Sequence, residues 1–501
     1  MKKTTRQFIA PTLLLLATVT PELAAQISAT EYTARRTALA QGIPNGILVA
    51  LGSPAPSEDF LWFYQNSPFK YLTGFDEPEA ALVMVVRDGA IAGKPLIFVQ
   101  PKDPSREVWE GTRLGVDGAR SAFGFDARVN TTLPAVIDSL LGSGAGRTLH
   151  VVGDYRPDRE IRSHDDQFVA AVARRNPGIT VQSANAKLNT VRGVKSAVEQ
   201  DLLRKSIAIT VDAHREAMRL VEPGMNEFEL QALIEYTFRR NGADRPSFVS
   251  IVGSGPNSTT LHYGADDRFI ENGDVIVMDI GASYRGYAAD VTRTVPANGT
   301  FTPAQREIYQ AVRDAQAAAE RAAAVNGPAG VLSEVARASL RTSLVKFGLI
   351  ESADATYDCD AAASRQCTQL SLYYMHGLGH GIGLDVHDPG SATGSGNLVP
   401  GSAFTIEPGI YVRGNLLDII PRTPRNQAMI GKIRRAVEKY RNIGVRIEDD
   451  YIVTPTAVEW VSRAPREIAE IEAIMRQPWT GPAPRDRSKV EWYRSTGRPA
   501  P

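Results

Sequence analysis

The sequence predicts a two-part architecture, an α/β amino-terminal domain followed by an α+β domain. Three observations carry this. Short β-branched runs alternate with helical stretches from Ser28 to Ser183. Helical patterns open the next section at Ser196. Beyond residue 250, strand-like runs carry acidic residues and histidines in clusters. A chain of 501 residues is long enough for two or three domains, each with its own core.

The elements follow in order. Residues 46–51, 81–86 and 95–99 are rich in β-branched side chains and bounded by Gly, Pro and Asp, which predicts strands. Residues 133–141 predict a helix. Alternation of the two types marks an α/β domain. Ser196 as N-cap with Glu199 at N3 forms a capping box that opens a long amphipathic helix. A second helix is expected over 225–241, with Asn226 as its cap. The boundary falls near 184–194, giving expected units of 26–185 and 186–475. From about Arg476 to 501 the chain turns Pro-, Gly- and Arg-rich, which predicts a tail that wraps the surface or stays disordered.

Residues 1–25 predict a targeting signal. Lys2, Lys3 and Arg6 precede an apolar run from Phe8 to Val19, and Ala24 and Ala25 offer a cleavage point. The run is shorter than the ~20 residues of a spanning helix. No cysteine follows it, which argues against a lipid anchor. No later stretch is apolar enough to cross a membrane. The expectation is an exported protein, periplasmic or secreted, with no membrane span after signal removal.

Composition excludes some classes. Hydrophobic residues make up 43% and charged residues 22%, as in soluble globular proteins. Lys plus Arg and Asp plus Glu number 56 each, without the basic excess of a nucleic-acid binder. No G-x-S-x-G is present, which argues against a serine peptidase. The two cysteines, Cys359 and Cys367, could close a disulfide after export or remain free thiols. No C-x-x-C exists, so a zinc ribbon is excluded.

The chemistry concentrates between residues 250 and 450. Residues 273–296 predict a hairpin about a Tyr-Arg-Gly-Tyr turn. Asp279 ends an apolar run and Asp290 lies on the returning strand, so the two carboxylates should sit nearly opposite. Carboxylates that close repel unless a cation lies between them. Three histidines, His376, His380 and His387, fall within twelve residues, spaced by glycines that let ligands approach closely. Those glycines also argue against an H-E-x-x-H type of helix. Glu407 follows the run Phe404-Thr-Ile, and Glu448 sits in the strand-like run Val445-Arg-Ile-Glu. Buried acids need a cation or an arginine as partner.

These residues resemble the metallopeptidase family of methionine aminopeptidase, aminopeptidase P and prolidase, with its pita-bread fold. The residues 64–79, YQNSPFKYLTGFDEPE, resemble the amino-terminal domain of the aminopeptidase P type. The resemblance implies metal ligands at Asp279, Asp290, His380, Glu407 and Glu448, all of the expected types and in order. Protein-binding members of the family have lost such ligands. One imidazole and four carboxylates favour Mn²⁺, with Co²⁺, Zn²⁺ or Fe²⁺ as alternatives. Two ions about 3.5–4 Å apart activate a shared water. By the same resemblance Glu407 handles the proton, His387 stabilises the tetrahedral intermediate, and His376 positions substrate or shuttles a proton. His262 and Arg446 line the proline side, with apolar contact from Tyr411.

The implied activity is hydrolysis of the bond between an amino-terminal residue and a following proline in proline-containing peptides. The alternative is a prolidase restricted to Xaa-Pro dipeptides. The segment 412–445, with a helical-looking stretch at 432–441, resembles the prolidase branch, whereas the amino-terminal half favours aminopeptidase P. The family also implies a homo-oligomer, a dimer or tetramer.

Overall fold

The computed structural model describes residues 27–484 except 59, 144–145 and 391–395. The expected signal segment and residues 485–501 of the tail lie outside the described residues.

The first domain is built on one mixed sheet. Its strands are β1 (Gly46–Leu51), β2 (Ala81–Arg87), β3 (Ala90–Ile91), β4 (Leu96–Val99), β5 (Asp126–Val129), β6 (Thr148–Val152) and β7 (Thr180–Ser183). The main path runs β5-β4-β2-β1-β6-β7, with β3 on β2. Pairs β1–β2 and β2–β4 are antiparallel, and β1–β6, β6–β7 and β4–β5 are parallel. Alternate residues of β1 point to opposite faces. Leu48 and Ala50 pack with Phe69, Leu72 and Phe75 on one side. Ile47, Val49 and Leu51 pack with Ile137, Leu141 and Val172 on the other. The sheet therefore carries helices on both faces, as the alternation predicted.

Helix Asn185–Arg192 leads from this sheet into helix Ala197–Leu220. The Ser196–Glu199 capping box forms, and Asn226 caps helix Glu227–Arg240 together with Glu229. The second domain adds small sheets around one continuous apolar core. Strands β8 (Arg245–Pro246), β9 (Ile251–Ser254), β10 (Val275–Ile280), β11 (Ala282–Tyr284), β12 (Tyr287–Ala288) and β13 (Val291–Pro296) come first. After helices Pro303–Ala322 and Gly330–Phe347 follow β14 (Thr356–Asp358), β15 (Gln366–Thr368), β16 (Ala403–Ile406), β17 (Gly409–Val412), β18 (Ile443–Arg446), β19 (Asp449–Val453) and β20 (Val458–Trp460).

Two long hairpins organise the domain. In the first, β10 pairs β13 and β11 pairs β12, and the turn has positive φ at Arg285 (53°) and Gly286 (88°). That is the mirror-image geometry that tight hairpins favour. In the second, β16 pairs β19 and β17 pairs β18. Each hairpin changes sheet partners midway, leaving short breaks in its strands.

The segment 412–445 contains helices Leu416–Ile419 and Pro424–Lys439, the latter beginning well before the helical stretch expected at 432–441. Pro424 at the first helical position and the Thr423 cap explain the earlier start. Cys359 and Cys367 form a disulfide across the β14–β15 hairpin. The first part of the tail lies on helix Ala197–Leu220, where Trp479 donates to Glu216 at 3.1 Å.

Candidate active site

The strand breaks place the acids. Asp279 lies inside β10, but Asp290 falls between β12 and β13. Glu407 falls between β16 and β17, and Glu448 between β18 and β19. Glu448 is thus at a strand break rather than within a strand run. In the second hairpin Ile406 faces Asp449 and Gly409 faces Arg446, so Glu407 stands across from Glu448. In the first, Asp279 faces Thr292, not Asp290. The two aspartates are diagonal rather than directly opposite, two residues apart on one face. The two carboxyls still lie close enough to influence each other's protonation. The hairpin closes tightly at this break because Gly281 is a glycine: a Cβ there would collide with the Ala289 carbonyl and the Ser247 hydroxyl.

His380 arrives on the glycine-rich segment, which runs beside β16. Thr405 N donates to His380 O at 2.9 Å, and Glu407 N donates to Leu378 O at 2.7 Å. A Cβ at Gly379 would overlap the Thr405 carbonyl, so the spacing of glycines permits this approach. His380 Nε2 lies 3.4 Å from Asp290 Oδ2, 3.8 Å from Glu407 Oε1 and 3.8 Å from Glu448 Oε1. Its Nδ1 faces the Gly381 carbonyl at 3.1 Å and must carry the proton. Nε2 then presents its lone pair to the carboxylates, the tautomer a metal requires.

These residues fit a cation site. One ligand atom each from Asp290, His380 and Glu448 lie within 4.8 Å of one another. Asp279 Oδ1, Asp290 Oδ1 and Glu448 Oε1 are buried without a hydrogen-bond partner. A buried carboxylate oxygen left unpaired is costly unless a cation satisfies it. Burial and the surrounding carboxylates push Asp290 and Glu448 well above the usual range. Burial lifts Glu407 to about 8 against the opposing pull of Arg446. At Asp279 burial acts in the same direction, but the Arg446 guanidinium outweighs it and holds the carboxyl low.

A directed chain of hydrogen bonds borders the acids. Arg446 Nη2 donates to Asp279 Oδ2 at 2.6 Å, and Nη1 donates to the Tyr411 hydroxyl at 2.8 Å. His376 Nδ1 faces the Gly377 carbonyl at 2.8 Å and lies 3.5 Å from Glu407 Oε2, so it carries the proton. Nε2 therefore accepts from the Tyr411 hydroxyl, 2.8 Å away. Burial lowers His376 to about 4, which keeps the ring neutral. Tyr411 was expected to offer apolar contact; its hydroxyl instead joins Arg446 to His376.

The remaining expected residues sit at the rim. His387 is exposed, with its ring centroid 4.1 Å from that of His380. His262 is exposed on the loop after β9, and the adjoining Leu261 carbonyl accepts from Arg446 Nη2 at 3.3 Å. Neither histidine joins the hydrogen-bonded cluster: His387 meets it through the His380 ring, and His262 lies further out on its loop.

Three supporting groups escaped the sequence reading. Thr292 donates to Glu448 Oε2 at 2.8 Å. Arg293 is fully buried and spends all five N–H groups, on the carbonyls of Thr292, Glu448, Ala464 and Pro465 and on Asp449. Asp388, next to His387, is held by Arg192 and by Lys195 at 3.0 Å. The one signal for Arg293 was a charge inside the β-branched run 291–296.

Comparisons with known proteins agree with this geometry. The sequence model of metallopeptidase family M24 matches residues 201–455, and that of the aminopeptidase P N-terminal domain matches 32–150. The Xaa-Pro aminopeptidase of Escherichia coli (strain K12) is 33% identical over 467 residues, covering 90% of this chain and 98% of that protein. The structure of Pseudomonas aeruginosa aminopeptidase PepP aligns with a TM-score of 0.74 at 33% identity, covering 90% of this chain and 98% of that one. Zinc-substituted E. coli aminopeptidase P in complex with product aligns at 0.75 and 32% identity, with the same coverage. Two matched domains in the family's order, together with a site of buried acids and one ligand-ready histidine, place this chain in the aminopeptidase P family of M24 metallopeptidases.

Proposed function

We propose that this chain removes the amino-terminal residue from peptides whose second residue is proline, using two divalent metal ions. The observation that carries this reading is the convergence of Asp290, Glu407 and Glu448 on His380, with three buried carboxylate oxygens of Asp279, Asp290 and Glu448 left unpaired. The Xaa-Pro aminopeptidase of E. coli, similar over nearly its whole length, supports the substrate class.

When bound, the ions supply Lewis acidity and an activated water. Asp279, Asp290, His380, Glu407 and Glu448 would hold them, and oxygen-rich ligands favour Mn²⁺. Glu407 would take up a proton and pass it towards the leaving nitrogen. His376, neutral and held by Tyr411, orients the neighbouring substrate atoms. His387, at the rim, would donate to a developing oxyanion. Arg446 ties Asp279 to Tyr411, while His262 would flank the side where the proline ring lies. Proline removes the amide N–H and fixes φ near −65°, so recognition falls on shape and on the carbonyl groups around the ring.

The same reading assigns residues 1–25 to an export signal, 26–185 to the amino-terminal domain, 186–475 to the catalytic domain and 476–501 to a tail. It also assigns a homo-oligomer. Phe60, Trp62 and Trp109 are 95%, 74% and 84% exposed on the amino-terminal domain, more large apolar surface than an isolated domain usually presents. Light scattering at micromolar concentration should give at least twice the mass of one chain; the mass of a single chain counts against the assembly. The activity is tested with Ala-Pro-Ala. Release of alanine should require added Mn²⁺ after chelation, and undiminished release by metal-free protein overturns the mechanism.

A further inference from the structure

The geometry points to a pocket that recognises an acidic side chain on the residue being removed, an inference that rests on the aminopeptidase reading above. A cavity of about 300 Å³ adjoins the carboxylate cluster, lined among others by Arg245, Ser247, Ser283, Leu384, Asp385 and His387. Its His387 wall borders the cluster, with the ring 4.1 Å from that of His380. A residue whose amine and carbonyl engage the cluster therefore directs its side chain within reach of this space. Ligand pockets run roughly from 300 to 1,000 Å³, so the cavity suits one side chain rather than a stretch of peptide.

Charge selects which side chain. The Arg245 guanidinium stacks on the Tyr64 ring at 3.9 Å, and among the described residues it makes no ion pair. Stacking fixes the planar fork and leaves its edge donors for a carboxylate. Ser283 Oγ is buried, with the residue 2% exposed, and has no hydrogen-bond partner. A ligand oxygen would satisfy it. Ser247 donates to the Ala289 carbonyl at 2.9 Å and supplies no competing charge. Asp385 also lines the cavity, but its oxygens accept from Ser67 and from Arg192 at 2.7 Å, so its charge is already offset. Arg245 is thus the charge on this wall that lacks a counter-ion, and glutamate or aspartate ahead of proline supplies one.

The test compares kcat/KM of the Mn²⁺-loaded enzyme on Glu-Pro-Ala, Gln-Pro-Ala and Ala-Pro-Ala. Gln keeps the shape of Glu and removes the charge. The wild type should favour Glu over Gln by about tenfold, the scale of a charge-assisted hydrogen bond. In Arg245→Met that ratio should fall to about one, and in Arg245→Lys part of it should return. A wild-type ratio near one, or a ratio that survives in R245M, overturns the pocket. A dipeptide's own carboxylate could also reach Arg245, so Ala-Pro is compared with Ala-Pro-amide. A preference for the free acid that is lost in R245M assigns Arg245 to the peptide terminus and also overturns the proposal. If no peptide is cleaved, the aminopeptidase reading fails and the pocket with it; turnover of Ala-Pro-Ala without charge preference sinks the pocket alone.

Discussion

Arg446 reaches Asp279 and Tyr411 with its two terminal nitrogens, at 2.6 and 2.8 Å, and so ties an acid of the cluster to the histidine that borders it. The Tyr411 hydroxyl accepts from Arg446 and donates to His376, a direction fixed by the Gly377 carbonyl on the far side of the ring. Tyr411→Phe keeps the buried ring and removes the link. We expect kcat on Ala-Pro-Ala to fall about 10- to 100-fold, as for other groups that orient a catalytic residue. The thermal midpoint should stay unchanged and the pH profile should shift, because His376 Nε2 loses its donor. An unaltered kcat and pH profile would remove Tyr411 from the machinery.

Metal should stabilise the fold as well as serve the reaction. Four carboxylates converge with three oxygens unpaired, so a cation relieves their repulsion. At a hundredfold excess over Kd, binding to the folded state alone adds about 2.7 kcal/mol. Differential scanning fluorimetry should show the midpoint falling with chelator and recovering with Mn²⁺. Asp290→Asn should abolish that shift without lowering the metal-free midpoint, since one of the repelling charges is gone. A metal response that persists in D290N would exclude Asp290 from the site.

Arg293 supports Glu448 from behind. Its guanidinium is buried with five N–H groups engaged, one of them on the Glu448 carbonyl at 2.7 Å. Arg293→Met leaves four carbonyls and part of Asp449 without their donor, although Arg466 still pairs with Asp449 at 2.8 Å. Removing one partner of a buried pair costs about 3–5 kcal/mol. The expected results are a lowered thermal midpoint and a higher Mn²⁺ requirement. A variant as stable as the wild type would contradict this role.

His214 sets an acid limit. Its Nε2 donates to the Val291 carbonyl at 2.9 Å, one residue beyond Asp290. Burial, reinforced by Arg293, lowers its pKa from 6.5 to about 3. The folded protein holds the ring neutral while the unfolded chain takes up a proton below pH 6.5. Stability from this group is therefore present above pH 6.5 and is lost as the pH falls towards 3. His214→Gln keeps a donor for the carbonyl and removes the titration. Urea midpoints measured from pH 7 to pH 4 should decline less steeply in H214Q, and parallel slopes would assign the acid sensitivity elsewhere.

The ligand types were legible because acids in apolar runs are expensive: Asp279, Glu407 and Glu448 each follow β-branched or aromatic neighbours. The placement of the acids was less legible. Symmetry about the Tyr-Arg-Gly-Tyr turn sets Asp279 opposite Thr292, as the structure has it, and leaves Asp290 two residues along on the same face. Strand breaks depend on which sheet each half-hairpin joins, a tertiary choice that no local run encodes. Arg293 and the Arg192–Asp388–Lys195 group were hidden for the same reason. Their partners are distant in sequence, at 448–465 and at 192–195 against 388. The polar role of Tyr411 depends on Arg446, its neighbour across β17 and β18 rather than along the chain.

The placement of segment 412–445 bears on the size of substrate. This segment resembles the prolidase branch, a likeness that favours a site closed around a dipeptide. Its feet are Val412 and Ile443, which pair at one end of β17 and β18. The site lies at the other end, where Gly409 faces Arg446. Three residues of strand separate the two, roughly 10 Å. The helix Pro424–Lys439 packs away from the acids: Asn426 binds the Asp358 backbone at 3.0 and 2.8 Å, and Tyr440 meets Phe347. A segment anchored on the β14 hairpin does not wall off the space beyond the proline. Ala-Pro-Ala should therefore be cleaved with a kcat/KM at least equal to that of Ala-Pro. Shortening 416–440 to a tight turn tests the same point. The variant should lose stability through its missing contacts with Asp358 and Phe347, while the ratio of the two kcat/KM values stays the same. A strong wild-type preference for Ala-Pro, or a ratio that moves towards the tripeptide when the segment is removed, would show that the segment does restrict the site.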